Sequence, residues 1–294
     1  MIVVTTPTGA IGQQVLANIL DSGEPVRAIA RDPSRLPPRV RERAEVVQGS
    51  HGDADVVNQA FAGAGAVFWL VPPNPRAASL DAAYLDFSQP ACEAFRKRGV
   101  KRVVGVSALG RGTPMAKKAG LVTASLAMDD MIAATGVNYR ALVMPSFMDN
   151  ILRQAESIRN RGVFLTPVAA DRKCPTCATR DIAAVAARLL LDTSWSGCEE
   201  VSVLGPEDLS FDEMAQIMSE VLGKPVRYQQ APLDAFKARL KENGMSDAFV
   251  EGYADMMAAK NEGLDNAVRR TPQSTTPTGF RHWCEDTLKP AIFS

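Results

Sequence analysis

The chain has 294 residues, 46% of them hydrophobic and 22% charged. That composition suits one large α/β domain, or a domain with a smaller companion, and excludes a disordered chain. Its 33 basic and 33 acidic residues cancel, so no overall field draws it to nucleic acid or to a membrane surface.

The first strand follows directly from the N-terminus, with no basic leader before it and no apolar run long enough to span a bilayer. Five cysteines in such a chain read as reduced thiols. The expectation is a cytoplasmic protein with no membrane partner and no direct nucleic-acid partner. A homodimer is compatible with it.

The opening stretch, Met1 to Gly12, reads as a short apolar strand running into a glycine-containing turn. Val15, Leu16, Ile19 and Leu20 then have helical spacing. Strand, tight turn and helix is the context in which a glycine fingerprint signals dinucleotide binding, because unpaired N–H groups and the helix dipole attract a pyrophosphate. Gly9 and Gly12 fit the pattern, and Thr6 stands where a first glycine would be. Thr8, Ala10 and Ile11 complete the turn as candidate contacts.

Further strands are predicted at 25–30, 44–48, 66–71, 102–107 and 138–144, with helices at 53–62, 77–98 and 121–135 between them. Pro90 predicts a kink or break in the second of these helices. Strands spaced by helices predict a doubly wound parallel sheet. A helix from Asp181 to Leu191 follows, with Asp181 at its positive N-terminal end. Then come a strand at 200–204, a helix opened by a capping box at Ser210 and Glu213, a strand at 226–230, and helices from 233 to 260 broken near Gly244.

Six motifs in order carry a resemblance. They are Thr8-Gly-Ala-Ile-Gly12, Ala30-Arg-Asp-Pro33, Val71-Pro-Pro73, Val106-Ser-Ala-Leu-Gly110, Pro145-Ser-Phe-Met-Asp-Asn150 and Asp181-Ile-Ala183. Through them the chain resembles the NmrA-like group of atypical short-chain dehydrogenases/reductases. The resemblance implies a Rossmann core over 1–150, with 176–204 returning to it, and a smaller α/β substrate domain from 151–175 and 205–294. It implies NADP or NAD as cofactor, and a small aromatic or quinone substrate. The family includes quinone reductases, natural-product tailoring enzymes, and redox-sensing regulators that bind dinucleotide without turning it over. Both an oxidoreductase and such a regulator stay open.

Arg31 follows the second strand, where an arginine suits the extra phosphate of NADP; the adjacent Asp32 keeps NAD open. His51 falls in a turn that the resemblance places near the adenine. Val71, Pro72 and Pro145 would line the nicotinamide end. Ser107 is the candidate catalytic residue there, hydrogen-bonding a substrate carbonyl, or else a cofactor contact. The usual relay is missing, since none of Tyr84, Tyr139, Tyr228 and Tyr253 has a lysine four residues on. A quinone needs no such relay, because its proton can come from water. Cys174-Pro-Thr-Cys177 has redox or metal spacing without a second pair, so no metal is expected. Met245, Met256, Met257, Phe236, Phe249 and Tyr253 form an apolar face, either core or a lid over a flat substrate.

Overall fold

Three consecutive buried residues, Ile2-Val-Val4, make the central strand β1. A strand apolar on both faces must be covered on both. The others of its sheet are β2 (Val26–Ala30), β3 (Glu45–Gln48), β4 (Ala66–Trp69), β5 (Arg102–Ala108), β6 (Asn138–Met144) and β7 (Cys198–Ser202). They lie in the order β7-β6-β5-β4-β1-β2-β3. β1 is parallel to β2 and β4, β2 to β3, and β4 to β5. The chain therefore winds outward from β1 in two directions, and the switch lies between β1 and β4, where open α/β sheets bind ligands at the strands' carboxyl ends. This is the expected Rossmann-type α/β fold.

The computed structural model describes residues 1–293, which divide into two compact units. The first comprises 1–108, 124–143 and 182–201; the second, 109–123, 144–181 and 202 onward. The second unit thus takes the segment after β5 and the end of β6, which the sequence assigns to the core, and the two units are of nearly equal length. Among the described residues no helix is long and apolar enough to cross a membrane.

In the first unit, α1 (Ala10–Ser22) buries Ile11, Val15, Leu16, Ile19 and Leu20, and Gly23 ends it at φ 82°. α2 (Pro38–Arg43) and α3 (Ala54–Ala60) flank β3 in the chain. α4 (Phe87–Arg98) runs through Pro90 without breaking. The irregularity lies one turn earlier, as a π turn over Ala82–Asp86. Pro90 has no N–H to give to Asp86, and the widened turn ends at that residue. α5 (Leu121–Ala133) precedes β6.

His51 ties the turn after β3 to the end of β4. Its Nε2 lies 3.0 Å from the Leu70 carbonyl oxygen. Its ring stands edge-on to Trp69 and Phe87, with centroids 5.1 and 4.9 Å away. Burial, opposed by the bond to Leu70 and reinforced by the charge of Arg31, pushes its pKa down to about 4.

The second unit has its own core, with Phe164, Phe280 and Trp283 fully buried among Met214, Met218 and Leu288. Val163–Thr166 pairs parallel with Arg227–Gln230. Cys174–Cys177 pairs with Ser146–Phe147 and Asp208–Leu209. The capping box forms as predicted: Ser210 Oγ accepts from Glu213 N, and Glu213 Oε2 accepts from Ser210 N at 2.8 Å. Helices Leu233–Glu242 and Asp247–Asn261 are separated at Gly244. Phe249 is buried, whereas Phe236, Met245, Tyr253, Met256 and Met257 are half-buried.

Asp149 caps the helix Thr179–Leu191, accepting from Thr179 N at 3.0 Å and Thr179 Oγ1 at 2.8 Å. Asp181, in the same first turn, reaches the C-terminal segment, where it accepts from Thr278 N at 3.0 Å and Thr278 Oγ1 at 2.8 Å. Asp181→Ala leaves both donors buried and unpaired. It is expected to lower unfolding stability by roughly 2–4 kcal/mol in a urea titration.

A second expectation follows from His51. Its folded pKa lies below the ordinary 6.5, at about 4, so the unfolded state takes up the proton first as pH falls. Stability from the neutral ring is fully present above pH 6.5 and declines toward pH 4, by at most about 3 kcal/mol. Urea unfolding of His51→Gln across this window should show a flatter pH dependence than the wild type. An unchanged slope would place the acid sensitivity elsewhere.

Candidate dinucleotide site

The glycine turn is held at short range by its own backbone. A Cβ on Gly12 would come within 2.1 Å of the Thr6 carbonyl oxygen and 3.0 Å of the Thr5 carbonyl oxygen. Only glycine lets α1 approach β1 this closely. Thr6 is the sole non-glycine residue among those described with positive φ, at 49°. Thr5 anchors the strained link: its Oγ1 donates to the Phe68 carbonyl at 2.9 Å and accepts from Leu70 N at 3.0 Å. Gly9 is less constrained, since its Cβ would meet the Thr6 oxygen at 3.4 Å.

The turn suits an anion. Gly9 is the N-cap of α1 in extended conformation, no side chain caps that helix, and its first turn carries no acidic residue. The N–H groups of Ala10, Ile11 and Gly12 thus head a helix of thirteen residues, with the positive end of its dipole at the turn. Thr6 Oγ1 is buried in the same turn with no protein hydrogen-bond partner among the described residues. A buried hydroxyl without a partner is costly, and a ligand oxygen here satisfies it. The residues therefore fit a dinucleotide pyrophosphate.

The other first-unit candidates share the carboxyl edge. The register aligns Val4 with Ala28 and Phe68, Ala30 with Gln48, and Trp69 with Gly105. Arg31, His51, Val71, Pro72 and Ser107 all follow these positions. Arg31 is exposed and makes no ion pair among the described residues. Asp32 is committed elsewhere: its Oδ1 accepts from Ser34 N at 3.0 Å and Ser34 Oγ at 2.6 Å. These bonds cap the short helix Pro33–Arg35 and hold the carboxyl below its ordinary pKa. Val71 is buried, and Pro72 beside it is exposed. Pro145 follows β6 in the second unit, just before the strand Ser146–Phe147.

Ser107 is buried, and its Oγ donates to Asp129 Oδ2. Asp129, on α5, is also buried, and its Oδ1 accepts from the Tyr139 hydroxyl at 2.6 Å. Sequence reasoning does not single out this cluster, although it carries a signal. Val122, Ser125, Asp129 and Ile132 are spaced as one helical face, so Asp129 falls on the apolar stripe.

The cysteine pair is not a reactive motif. Cys174 and Cys177 occupy an extended strand, where residues three apart point to opposite faces. Both thiols are free and buried. Burial pushes Cys174 up to about 11, and Cys177 far above the ordinary thiol value. Among the described residues no group of His, Cys, Asp and Glu is arranged to hold a metal ion.

Comparison with known proteins agrees with this geometry. Residues 7–193 match a family model described as NAD(P)H-binding. A (4-alkanoyl-5-oxo-2,5-dihydrofuran-3-yl)methyl phosphate reductase of Streptomyces griseus is 30% identical, over 96% of this chain and 96% of its own. An NAD(P)H azoreductase of Xenophilus azovorans is 26% identical, over 94% of this chain and 93% of its own. The fold is that of an Escherichia coli NADPH-dependent quinone oxidoreductase solved with NADPH, at a TM-score of 0.74 and 24% identity, covering 91% of this chain and 92% of that one. The chain belongs to the NAD(P)H-binding family, among NAD(P)H-dependent oxidoreductases, and its cofactor is NAD(P).

Proposed function

We propose that the protein is an NmrA-like reductase that passes hydride from NAD(P)H to a flat conjugated acceptor, a quinone or another polycyclic aromatic carbonyl compound. A role in tailoring aromatic natural products falls within this reading. The observation that carries it is the state of Ser107. Its hydroxyl donates to Asp129, and no tyrosine in the chain is followed four residues on by lysine. The site is thus built for acceptors that need little help from a protein acid. A quinone meets that condition, since the anion left by hydride addition is a weak base that takes its proton from water.

The bound cofactor supplies hydride; the chain's own residues bind and orient it. Gly9, Ala10, Ile11 and Gly12 hold the pyrophosphate by their N–H groups, with the hydroxyls of Thr6 and Thr8 beside them. Arg31 meets the extra phosphate of NADP. Asp32 is bonded to Ser34, which favours NADP over NAD. His51 packs the adenine side as a neutral ring. Val71, Pro72 and Ser107 bound the nicotinamide end. The names of the relatives, reductases of a quinone, of azo type and of an oxo-dihydrofuran phosphate, support a conjugated acceptor.

The same lack of a relay fits a regulator that binds the cofactor without turning it over, and one experiment separates the two. NADPH and NADH are titrated by intrinsic fluorescence, and oxidation is then followed at 340 nm with a panel of quinones, the absorbance band of reduced nicotinamide being roughly that wavelength. Turnover with at least one quinone is expected; tight binding without oxidation by any acceptor leaves the regulator. Arg31→Ala should weaken NADPH by about tenfold or more and NADH little, the value of a charge-assisted hydrogen bond. Equal weakening of both would remove the phosphate assignment.

A further inference from the structure

Ser107, Asp129 and Tyr139 form a buried network confined to the first unit. The Tyr139 hydroxyl on β6 donates to Asp129 Oδ1 at 2.6 Å, and Ser107 on β5 donates to Asp129 Oδ2. Gly105, between β5's two faces of packing, makes room for this arrangement. A Cβ there would lie 2.2 Å from the Tyr139 hydroxyl oxygen. Both oxygens of one carboxylate are thus engaged by hydroxyl donors. A serine hydroxyl has one proton and two lone pairs. With the proton turned to Asp129, what Ser107 offers at the carboxyl end of β5 is a hydrogen-bond acceptor.

We infer that Asp129 is a positioning residue that fixes Ser107 as an acceptor, and that Ser107 receives an N–H of the nicotinamide carboxamide instead of giving a proton to the substrate. The inference rests on the proposed function in one respect, that the nicotinamide end of the cofactor lies over β4 and β5. The topology supports that placement. Arg31 and His51 follow β2 and β3, on one side of β1, while Ser107 lies near the carboxyl end of β5, two strands away on the other. A cofactor whose phosphates sit at the β1 turn and whose adenine lies toward β2 and β3 directs its other end toward β4 and β5. The amide of that end carries both a carbonyl and an N–H₂ group, so an acceptor fixed in place selects which way the amide faces. Orientation of the ring decides which face delivers hydride, and a group held by a buried network costs no reorganisation on binding.

The test compares binding of NADP⁺ with that of its 3-acetylpyridine analogue, in which a methyl ketone replaces the amide. Dissociation constants are measured by calorimetry for the wild type, Ser107→Ala, the paired variant Asp129→Leu with Tyr139→Phe, and the triple variant. The paired variant replaces the carboxylate and its second donor together, so no buried hydroxyl on Tyr139 is left unpaired. The wild type should prefer NADP⁺ over the analogue. Ser107→Ala should reduce that preference about three- to tenfold, the value of one neutral hydrogen bond. The paired variant should reduce it as well, because a freed Ser107 hydroxyl can donate to the ketone. In the triple variant the preference should fall no further than in Ser107→Ala, since Asp129 acts only through Ser107. A further, additive loss in the triple variant would overturn the positioning role. A preference untouched by Ser107→Ala, with quinone turnover reduced, would overturn the acceptor role while leaving the site reading intact. If Ser107→Ala changes neither binding nor turnover, the placement of the nicotinamide over β5 itself fails. Should the paired variant not fold, Ser107→Ala alone decides the acceptor role by the same comparison.

Discussion

The close approach of Gly12 to the Thr6 carbonyl is the constraint on which the first unit depends. It brings the start of α1 against the end of β1 with no room for a side chain. The link between them runs through Thr6 in a left-handed conformation, at a cost of about 1 kcal/mol or more for a β-branched residue. Thr5 holds that conformation in place, because its hydroxyl bridges the Phe68 carbonyl and the Leu70 N–H on β4 and the residue after it. The neighbouring strand therefore stabilises the turn. What results is a helix start with no side-chain cap and no acidic residue, an arrangement that lowers stability in isolation and makes an anion site in context.

A buried carboxylate orders the other side of β1. Taking Asp129 out of water is costly unless its oxygens are satisfied, and Ser107 and Tyr139 supply a hydroxyl to each. The cluster ties β5, α5 and β6 together. Gly105 is part of it, as Gly12 is part of the turn: each leaves out a Cβ so that an oxygen, of Tyr139 or of Thr6, can come close. The two ends of the carboxyl edge therefore differ in kind. At β1 the chain offers backbone donors; at β5 it offers a side-chain oxygen whose proton is directed inward.

Much of the fold was legible because it rests on local periodicity. The strand at 66–69 is a continuous apolar run, and the helix after Ser210 announces itself with a capping box. Pro90 misled because the helix absorbs it with a π turn, a tertiary adjustment that no local pattern encodes. The glycine turn was legible for the same local reason. Ser107 was visible as a strand-end residue, but its partners were not. Asp129 is 22 residues away in the chain, and only the packing of α5 against the sheet brings them together. Asp32 and the cysteine pair show the converse. Their spacing suggested ribose binding and redox chemistry, and local geometry assigns them instead to a cap on Ser34 and to opposite faces of a strand.

No tyrosine of the chain is followed four residues on by a lysine. In the usual relay that lysine keeps a tyrosine acidic enough to serve as the proton source. Here Tyr139 is buried and donates to a carboxylate. The carboxyl edge thus has an uncapped helix start and an exposed arginine, and turns the Ser107 hydroxyl inward. For the acceptor proposed above, rate then comes from holding two planar groups face to face, with no acid needed from the protein.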